Sequence, residues 1–269
     1  MNGLELVRHR RSVRTFDGND LPSEEKIKIL DFAASAENPY HIPVEWRILS
    51  AKANGLLSPV IAGTDTWIAG KMKRVPHAEE AFGYSFEKIV LYAESLGMGT
   101  TIIAGTMNRP AFEKAIDLGP DEVMPCVSPL GYPAEKKSLR EIVMRKGVGA
   151  DRRLKADEIF FDRSFESPLS EEKIGNLSVP LEMVRWAPSA VNKQPWRLVL
   201  ADGKVHFYEK QTRGYVGANG WDLQKVDMGI ALCHFEYGLT SEGLKAEFQI
   251  EDPGISTPPD VFYIASYLL

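Results

Sequence analysis

The segment with the clearest chemical potential lies near the start of the chain and reads Arg10-Arg11-Ser12-Val13-Arg14. It places three guanidinium groups and one hydroxyl within five residues. A guanidinium group is a fork of charged donors that matches the oxygens of a phosphate or of an electron-rich ring carbonyl. The pattern favours an anionic, oxygen-rich ligand, although basic segments of this kind are also common on solvated surfaces.

A second segment, Ala187–Trp196, combines a stiff backbone with small polar side chains. Prolines near both of its ends stiffen it because each proline fixes its own φ angle. Ser189, Asn192 and Gln194 supply hydrogen-bond donors and acceptors, and the small residues among them let a flat ring approach. We interpret this segment as a ligand-binding loop rather than an ordinary surface turn.

Together these two segments resemble the nitroreductase family of flavin enzymes. The family has an Arg-Arg-Ser-x-Arg start, a Pro-Ser-x-x-Asn-x-Gln-Pro-Trp loop, an Ala-x-x-Leu-Gly-x-Gly helix end and a Gly-Tyr-Pro strand end. The matching stretches here are Arg10–Arg14, Pro188–Trp196, Ala93–Gly99 and Gly131–Pro133. The resemblance covers nearly the whole chain.

The resemblance implies an FMN-dependent oxidoreductase. Hydride would pass from NAD(P)H, a diffusible donor, to an electron-poor small-molecule acceptor of the nitroaromatic or quinone type by a ping-pong mechanism. One alternative is a non-catalytic protein that binds a flavin or a partner on the same scaffold. Another is a flavin enzyme with different chemistry, such as dehalogenation, because a fold or a cofactor loop does not fix the substrate.

The resemblance also implies which residues bind the cofactor, and it requires no catalytic side chain because the flavin carries the redox chemistry. Arg10, Arg11 and Ser12 are expected at the FMN phosphate. Arg14 is expected at the pyrimidine edge of the ring, where a cation would tune the reduction potential. The residues expected to line the ring and the ribityl chain are Pro188, Ser189, Ala190, Asn192 and Gln194.

Two further contacts come from the resemblance alone. The stretch Ala104-Gly105-Thr106 is expected to supply a backbone donor near the flavin N5 and O4 atoms. Arg152 and Arg153 match a late basic contact to the phosphate, with Arg145 as the alternative.

The chain contains two related copies of one pattern, which indicates an internal duplication. The first copy reads Arg14-Thr15-Phe16-Asp17 and the second Arg163-Ser164-Phe165-Glu166, and a Ser-Glu-Glu-Lys-Ile stretch follows each. Gly83 and Gly97 then match Gly229 and Gly243 at one common spacing. Ordinary members of the family are homodimers, so a fused pair is expected to fold as an intramolecular pseudo-dimer. A monomer is then favoured, with a weak homodimer as the alternative.

Only one of the two equivalent sites keeps its binding residues. With the copies aligned on their shared tryptophan, Asn192 and Gln194 match Ile42 and Val44. The start of the arginine segment matches the apolar and acidic stretch 159–162. The sequence therefore predicts one FMN per chain, at an interface where the arginines of the first copy meet the loop of the second.

Composition argues against several other classes. The formal net charge of −5 does not favour nucleic-acid binding. No stretch approaches the ~18 apolar residues that suggest a membrane span, and the histidines form no metal-ligand cluster. Cys126 and Cys233 lie far apart in apolar stretches, which predicts buried thiols in a reducing compartment. The start of the chain has no apolar signal core, so a cytoplasmic protein is expected.

The spacing of apolar residues predicts the elements that position these segments. Helices are predicted at 22–36, 77–96, 110–117, 170–186 and 224–241. Strands are predicted at 45–51, 56–62, 100–106, 122–130, 196–201, 204–210 and 261–269. Asn54-Gly55 and Asp202-Gly203 are predicted as hairpin turns.

This order of elements predicts an α+β fold of two similar halves, each with a mostly antiparallel sheet flanked by helices. The predicted divisions are a first half at 1–135, a basic linker at 136–158 and a second half at 159–269. Within residues 136–155, eight Lys or Arg stand against two Asp or Glu. This stretch is interpreted either as a solvated linker or as an arm that faces a phosphate.

Overall fold

The computed structural model describes residues 2–216 and 221–269. The backbone divides into two compact units, one formed by Arg8–Ala150 and the other by Met1–Val7 with Asp151–Leu269. The division at Ala150 falls within the predicted basic linker.

The elements follow one another along the chain as helices and short strands. The helices are α1 Gly3–His9, α2 Ser23–Ala34, α3 Ala51–Asn54, α4 Ala78–Ser95, α5 Arg109–Ala115, α6 Leu139–Gly147, α7 Ala156–Ile159, α8 Glu171–Ile174, α9 Ser178–Trp186 and α10 Leu223–Ser241. The strands are β1 Glu45–Ser50, β2 Thr66–Lys73, β3 Gly99–Thr100, β4 Glu122–Val123, β5 Val127–Gly131, β6 Phe160–Asp162, β7 Trp196–Ala201, β8 Lys204–Lys210, β9 Glu247–Gln249 and β10 Val261–Leu268.

The unit Arg8–Ala150 is built on an antiparallel sheet in the order β1-β2-β5-β3, with β4 beside β2. Helices α2 and α4 pack against each other and on this sheet. A core cluster is formed where Trp67 meets Phe112 edge to face, with ring centroids 5.0 Å apart. Both side chains are buried.

The other unit carries a sheet in the order β6-β7-β8-β10-β9, in which only the β6–β7 pair is parallel. Helix α10 packs against α9 and contacts β7 and β8. A Cβ on Gly238 would lie 2.5 Å from the Cα of Pro180, so the close approach of these two helices requires glycine there.

The predicted α+β class and the mostly antiparallel sheets are confirmed. In one unit α2 packs on β1 and α4 packs on β2, and in the other α10 packs on β7 and β8 and against α9. The repeated glycines have a physical reason as well. Gly97 (φ +77°) and Gly243 (φ +67°) both adopt the left-handed conformation that commonly ends a helix.

The predicted strand at 56–62 is wrong. Asn54-Gly55 is the end of helix α3 rather than a hairpin turn, because Gly55 (φ +62°) caps this helix in the left-handed conformation. At the other end the Ser50 hydroxyl accepts a hydrogen bond from Ala53 N over 3.1 Å. Asp65 holds the same turn, since its carboxylate accepts from Lys52 N over 2.7 Å.

Three other elements differ from their predicted extents. The stretch 122–130 is two strands because Pro125 lies between β4 and β5 and cannot donate to a sheet. The strand at 100–106 ends after Thr100. The helix at 170–186 breaks into α8, a 3₁₀ turn and α9, because Gly175 (φ +51°) interrupts it.

Helices α1, α3, α6 and α7 were not predicted, nor were strands β2, β6 and β9. Both predicted thiols, Cys126 and Cys233, are buried. Across residues 2–216 and 221–269, the structure contains no helix that is long and apolar enough to cross a membrane.

Candidate functional site

The arginine segment runs beside the sheet of its unit in an extended conformation. Ser12 pairs with Thr100 in a parallel bridge, and Val13 N donates to Thr100 O over 2.8 Å. A Cβ on Gly99 would lie 2.7 Å from the Val13 side chain, so this close pairing depends on a glycine. The buried Val13 anchors the segment and fixes the residues on either side of it.

Arg10 is a buried cation whose Nε atom has no hydrogen-bond partner in the described part of the chain. Its side chain is 9% exposed, and its buried Nε atom makes no hydrogen bond to any residue that the structure describes. Burial lowers the pKa of Arg10, while the charges of Glu87 and Glu94 on α4 raise it and Arg145 lowers it further. A buried guanidinium with unused donors is suited to an anionic ligand.

Arg14, four residues further along the segment, shows the same feature. Its Nε atom is also buried and lacks a partner among the described residues. Its backbone N–H donates to Glu141 Oε2 over 3.2 Å. Burial lowers the pKa of Arg14, Glu141 raises it and Arg145 lowers it. Arg11 is less buried, and its Nη1 atom lies 3.7 Å from Glu141 Oε1.

The stretch Ala104–Thr106 is held as an open loop in the same unit. The Arg109 guanidinium donates to the carbonyl oxygens of Ala104 over 2.9 Å and of Met124 over 2.8 Å. In the described part of the chain, the backbone N–H groups of Ala104, Gly105 and Thr106 donate no hydrogen bond. These groups are therefore available as donors to a ligand.

The loop Pro188–Trp196, in the other unit, adopts a strained backbone. Val191 (φ +52°), Asn192 (φ +56°) and Gln194 (φ +51°) all lie in the left-handed region. Such residues are uncommon and cluster at functional sites. The loop is stabilised from within, since the Ser189 hydroxyl accepts from Gln194 N over 2.8 Å and Arg197 donates to the Gln194 carbonyl over 3.0 Å.

A buried carboxylate supports this loop from helix α10. Both oxygens of Asp227 accept from Ala190 N, at 3.0 and 3.1 Å. Asp227 is 1% exposed, and burial raises its pKa well above its usual range, opposed by the Ala190 hydrogen bond and reinforced by the charges of Glu209 and Asp222. The carboxyl group of Asp227, which holds the loop at Ala190, therefore favours its protonated, neutral form.

The structure brings the basic pair Arg152 and Arg153 together with this loop, in the same unit. Asn192 Nδ2 donates to Arg152 O over 3.0 Å, and Gln194 Oε1 accepts from Leu154 N over 2.9 Å. The Arg153 guanidinium lies 4.7 Å from the centre of the Trp186 ring. The buried Gln194 amide is used up internally, because its Nε2 donates to Asn192 O over 3.3 Å.

Each of these two segments has a counterpart in the other copy of the duplicated pattern, and each counterpart has a different structure. Residues 159–162, which match the start of the arginine segment, end α7 and form β6, with Phe160 and Phe161 buried. The first-copy counterpart of the Pro188 loop is closed on itself, because Asn38 Nδ2 donates to Ile42 O over 2.8 Å and to the Ser85 hydroxyl over 3.1 Å.

Sequence reasoning missed Glu141 and Asp227. A signal existed for the first, since Ser138 and Glu141 have the spacing that begins a helix, and the Ser138 hydroxyl does accept from Glu141 N. Asp227 stands in a long apolar run with no local pattern that marks it.

Comparison with protein families gives one match over most of the chain. A family model described as "Putative TM nitroreductase" matches residues 2–239. No curated protein matches the chain.

Solved structures give a fold match over the whole chain. A protein from Thermotoga maritima MSB8, described as a putative nitroreductase, is 20% identical with a TM-score of 0.66, covering 100% of this chain and 94% of that one. A putative NADH dehydrogenase/NAD(P)H nitroreductase from Bacteroides thetaiotaomicron VPI-5482 is 23% identical with a TM-score of 0.44, covering 51% of this chain and 89% of that one. An iodotyrosine deiodinase bound to FMN and 3-iodo-L-tyrosine is 17% identical with a TM-score of 0.43, covering 51% and 92%.

Proposed function

The chain belongs to the nitroreductase family, and from this premise we propose that it is an FMN-dependent oxidoreductase that binds one FMN per chain. The resemblance drawn from the sequence motifs is thereby confirmed at the level of the family. The cofactor, the hydride donor and the acceptor are parts of the proposal.

The observation that carries the proposal is a pair of guanidinium groups, on Arg10 and Arg14, whose buried Nε atoms have no hydrogen-bond partner among the residues that the structure describes. Arg10 and Arg14 lie in one extended segment, and both Nε atoms are orphaned among the described residues. Burying a charged donor without a partner is unfavourable, so a phosphate and a ring carbonyl would satisfy groups that the protein leaves unsatisfied. The residues present therefore fit FMN.

Each described segment has a role in this proposal. Arg10, Arg11 and Ser12 would bind the phosphate, and Arg14 would hold a positive charge at the pyrimidine edge of the ring. The N–H groups of Ala104–Thr106 would donate to the flavin N5 and O4 atoms. The residues proposed to contact the ring and ribityl chain are Pro188, Ser189, Ala190 and Asn192.

Gln194 has a different proposed role because its amide is already engaged within the loop. It would position the 152–154 backbone, and with it Arg152 and Arg153, rather than touch the cofactor. When bound, FMN would supply two-electron chemistry between NAD(P)H and an electron-poor acceptor. The two substrates would take turns at one site, which predicts ping-pong kinetics.

A single FMN per chain is supported by the contrast between the two copies. The counterpart of the arginine segment is the buried strand β6, which offers no cluster of cations. In the first-copy counterpart of the loop, the Asn38 side-chain amide donates to the backbone carbonyl of Ile42 within the same segment. Neither equivalent retains the chemistry that a second phosphate and ring would need.

The test is the visible spectrum and flavin content of the purified protein after incubation with FMN, followed by anaerobic addition of NADH or NADPH. We expect one FMN per chain, and bleaching of the flavin absorbance by at least one of the two donors. Parallel initial-rate lines with donor and a quinone would support the ping-pong order. Two FMN per chain would contradict the asymmetry, and bound FMN that neither donor reduces would favour the non-catalytic alternative.

A further inference from the structure

Helix α6 presents apolar side chains to solvent. Leu139 is 83% exposed, Val143 is 70% exposed and Ile142 is 48% exposed, whereas Glu141 alone among the nine residues of α6 is buried, at 1% exposure. A surface helix ordinarily buries its apolar side and exposes its charges. Ile142 and Val143 follow Leu139 by three and four positions, so the three side chains form one apolar stripe on the outer side of the helix.

Polar contacts to the arginine segment hold α6 in this orientation. The Thr15 hydroxyl donates to the Ser138 hydroxyl over 3.0 Å, and Ser138 N donates back to Thr15 Oγ1 over 3.2 Å. Glu141 accepts from Arg14 N over 3.2 Å. Because these contacts lie on the inner side of the helix, the apolar stripe cannot turn inward without breaking them.

Exposed cations surround the apolar stripe. Residues 136–147 hold five Lys or Arg and one acid, Glu141, and that acid is buried. The exposed cations are Lys136, Lys137, Arg140 and Lys146. The surface of this stretch is therefore positive in a chain whose formal net charge is −5. Charge complementarity favours an anionic partner.

The shape and size of this patch favour a lipid surface over an acidic protein. Leu139 and Val143 project with most of their surface in water, so a protein partner would need a matching groove, whereas a bilayer interface accepts projecting side chains directly. Each partner in a stable protein complex buries roughly 800 Å², and three apolar side chains supply only part of that area. A basic helix with an apolar stripe is also typical of segments that lie on a membrane surface.

We propose that α6 binds to an anionic membrane surface. The apolar stripe enters the headgroup region, and the lysines before and after it contact lipid phosphates, which their flexible apolar stems allow them to reach. Three side chains and four cations give reversible binding, which weakens as salt screens the charges. The inference goes beyond the proposed function, because it requires neither FMN nor a hydride donor.

The first experiment measures co-sedimentation of the full chain with vesicles of phosphatidylcholine and with vesicles of an equal mixture of phosphatidylcholine and phosphatidylglycerol. The wild type is expected to bind only the anionic vesicles. Each cation near an anionic surface strengthens binding about fivefold, so Lys136→Gln combined with Lys137→Gln should weaken it about 25-fold. Leu139→Gln combined with Val143→Gln should weaken it at least about tenfold, because two apolar side chains no longer enter the bilayer.

Matched controls come from other helices of the same unit. Lys52→Gln combined with Lys114→Gln removes the same charge from exposed residues of α3 and α5, and Ile27→Gln removes an exposed apolar side chain from α2. Each control should change vesicle binding by less than about twofold, because charges beyond the screening length contribute little. All of these positions are exposed, so urea unfolding of every variant should match that of the wild type.

A labelled cysteine tests which side of α6 meets the lipid. Both native thiols are buried, so an environment-sensitive dye attached to Val143→Cys reports on that position alone. Its emission should shift to shorter wavelength when anionic vesicles are added, because the dye enters a less polar environment. The same dye on Ile27→Cys should not respond.

A wild type that does not bind anionic vesicles at low salt would overturn the proposal, as would equal losses in the α6 variants and in the controls. Light scattering and a polyglutamate peptide test the other occupants. A dimer that Leu139→Gln with Val143→Gln dissociates, without vesicle binding, would assign the stripe to a second copy of this chain. Binding of polyglutamate without vesicle binding would assign it to an acidic protein.

Discussion

The backbone N–H of Leu154 donates a hydrogen bond over 2.9 Å to the side-chain Oε1 of Gln194, forty positions further along the chain. Gln194 is 4% exposed and adopts a left-handed backbone (φ +51°). The contact ties the strained loop to the stretch that carries Arg152 and Arg153. Gln194, which the sequence suggested as a ligand contact, thus links its own loop to the backbone of residues 152–154.

Replacing Gln194 by leucine should destabilise the protein. The change leaves Leu154 N without its acceptor and the Asn192 carbonyl without its donor. An unsatisfied buried polar group costs about 1–3 kcal/mol, so the free energy of unfolding in urea should fall by about that amount. Lys193→Leu, at an exposed position of the same loop, is the control and should change it by less than about 0.5 kcal/mol. Equal stability of Gln194→Leu and the wild type would show that the contact does not hold the loop.

Replacing Arg10 by methionine should stabilise the protein in the absence of ligand. Burial is the largest influence on the Arg10 pKa and lowers it despite the nearby charges of Glu87 and Glu94. The folded state therefore disfavours this cation, and an unbranched apolar side chain should raise the free energy of unfolding by about 0.5–2 kcal/mol. Urea unfolding in phosphate-free buffer measures the effect.

The same variant should lose its response to ligand. A ligand that binds only the folded state raises stability with its concentration, so FMN should stabilise the wild type and not Arg10→Met. Arg74→Met is the matched control, because Arg74 is exposed, belongs to the same unit and has no part in the proposed site, so this variant should keep the response to FMN. If Arg10→Met were less stable than the wild type without ligand, Arg10 would be a structural residue rather than part of a binding site.

Arg14 allows a test of whether a positive charge tunes the flavin reduction potential, because its contact with Glu141 is made by the backbone and the side-chain charge can be changed separately. Glu141 accepts from the backbone N–H, which Arg14→Gln retains. Loss of the cation should make the reduction potential of bound FMN more negative, since a nearby positive charge favours the reduced, more anionic form. Potentiometric titration measures the shift, and Arg14→Lys, which keeps the charge, should shift it less. Identical flavin reduction potentials in all three proteins would show that the Arg14 side chain does not lie beside the flavin ring.

Much of this architecture could be predicted from local patterns. The long amphipathic helices and the strands at 196–201 and 204–210 agree with their predicted extents because periodicity and a tight Asp202-Gly203 turn determine them. The hairpin expected at Asn54-Gly55 failed because the same dipeptide also ends a helix, and the side chains of Ser50 and Asp65 decide between the two outcomes.

The site could be predicted only in part, for a related reason. The arginine segment and the proline-flanked loop were identified because their residue types are unusual for their positions. Their supports lie far away in sequence, as Glu141 lies from Arg14 and Asp227 from Ala190. Such contacts arise from tertiary packing, which a single sequence does not reveal.

Asp227 predicts an unusual dependence of stability on pH. Its pKa is raised well above 3.8, chiefly by burial, so the folded state binds its proton more tightly than the unfolded state does. This contribution to stability is fully present below about pH 4, and it is lost as the pH rises from there through the raised pKa. Asp227→Asn removes the titration while keeping an oxygen that can accept from Ala190 N.

The free energy of unfolding of Asp227→Asn, relative to the wild type, should therefore increase as the pH rises above about 4 and level off once the raised pKa is passed. Urea titrations of both proteins at several pH values between 4 and 9 measure the difference. Asp157→Asn is the control, because Asp157 is exposed in the same unit and its charge is not among those that act on the pKa of Asp227. A stability difference between Asp227→Asn and the wild type that stays constant with pH would mean that this carboxyl is not held neutral beneath the loop, and that Ala190 is anchored by an ordinary carboxylate.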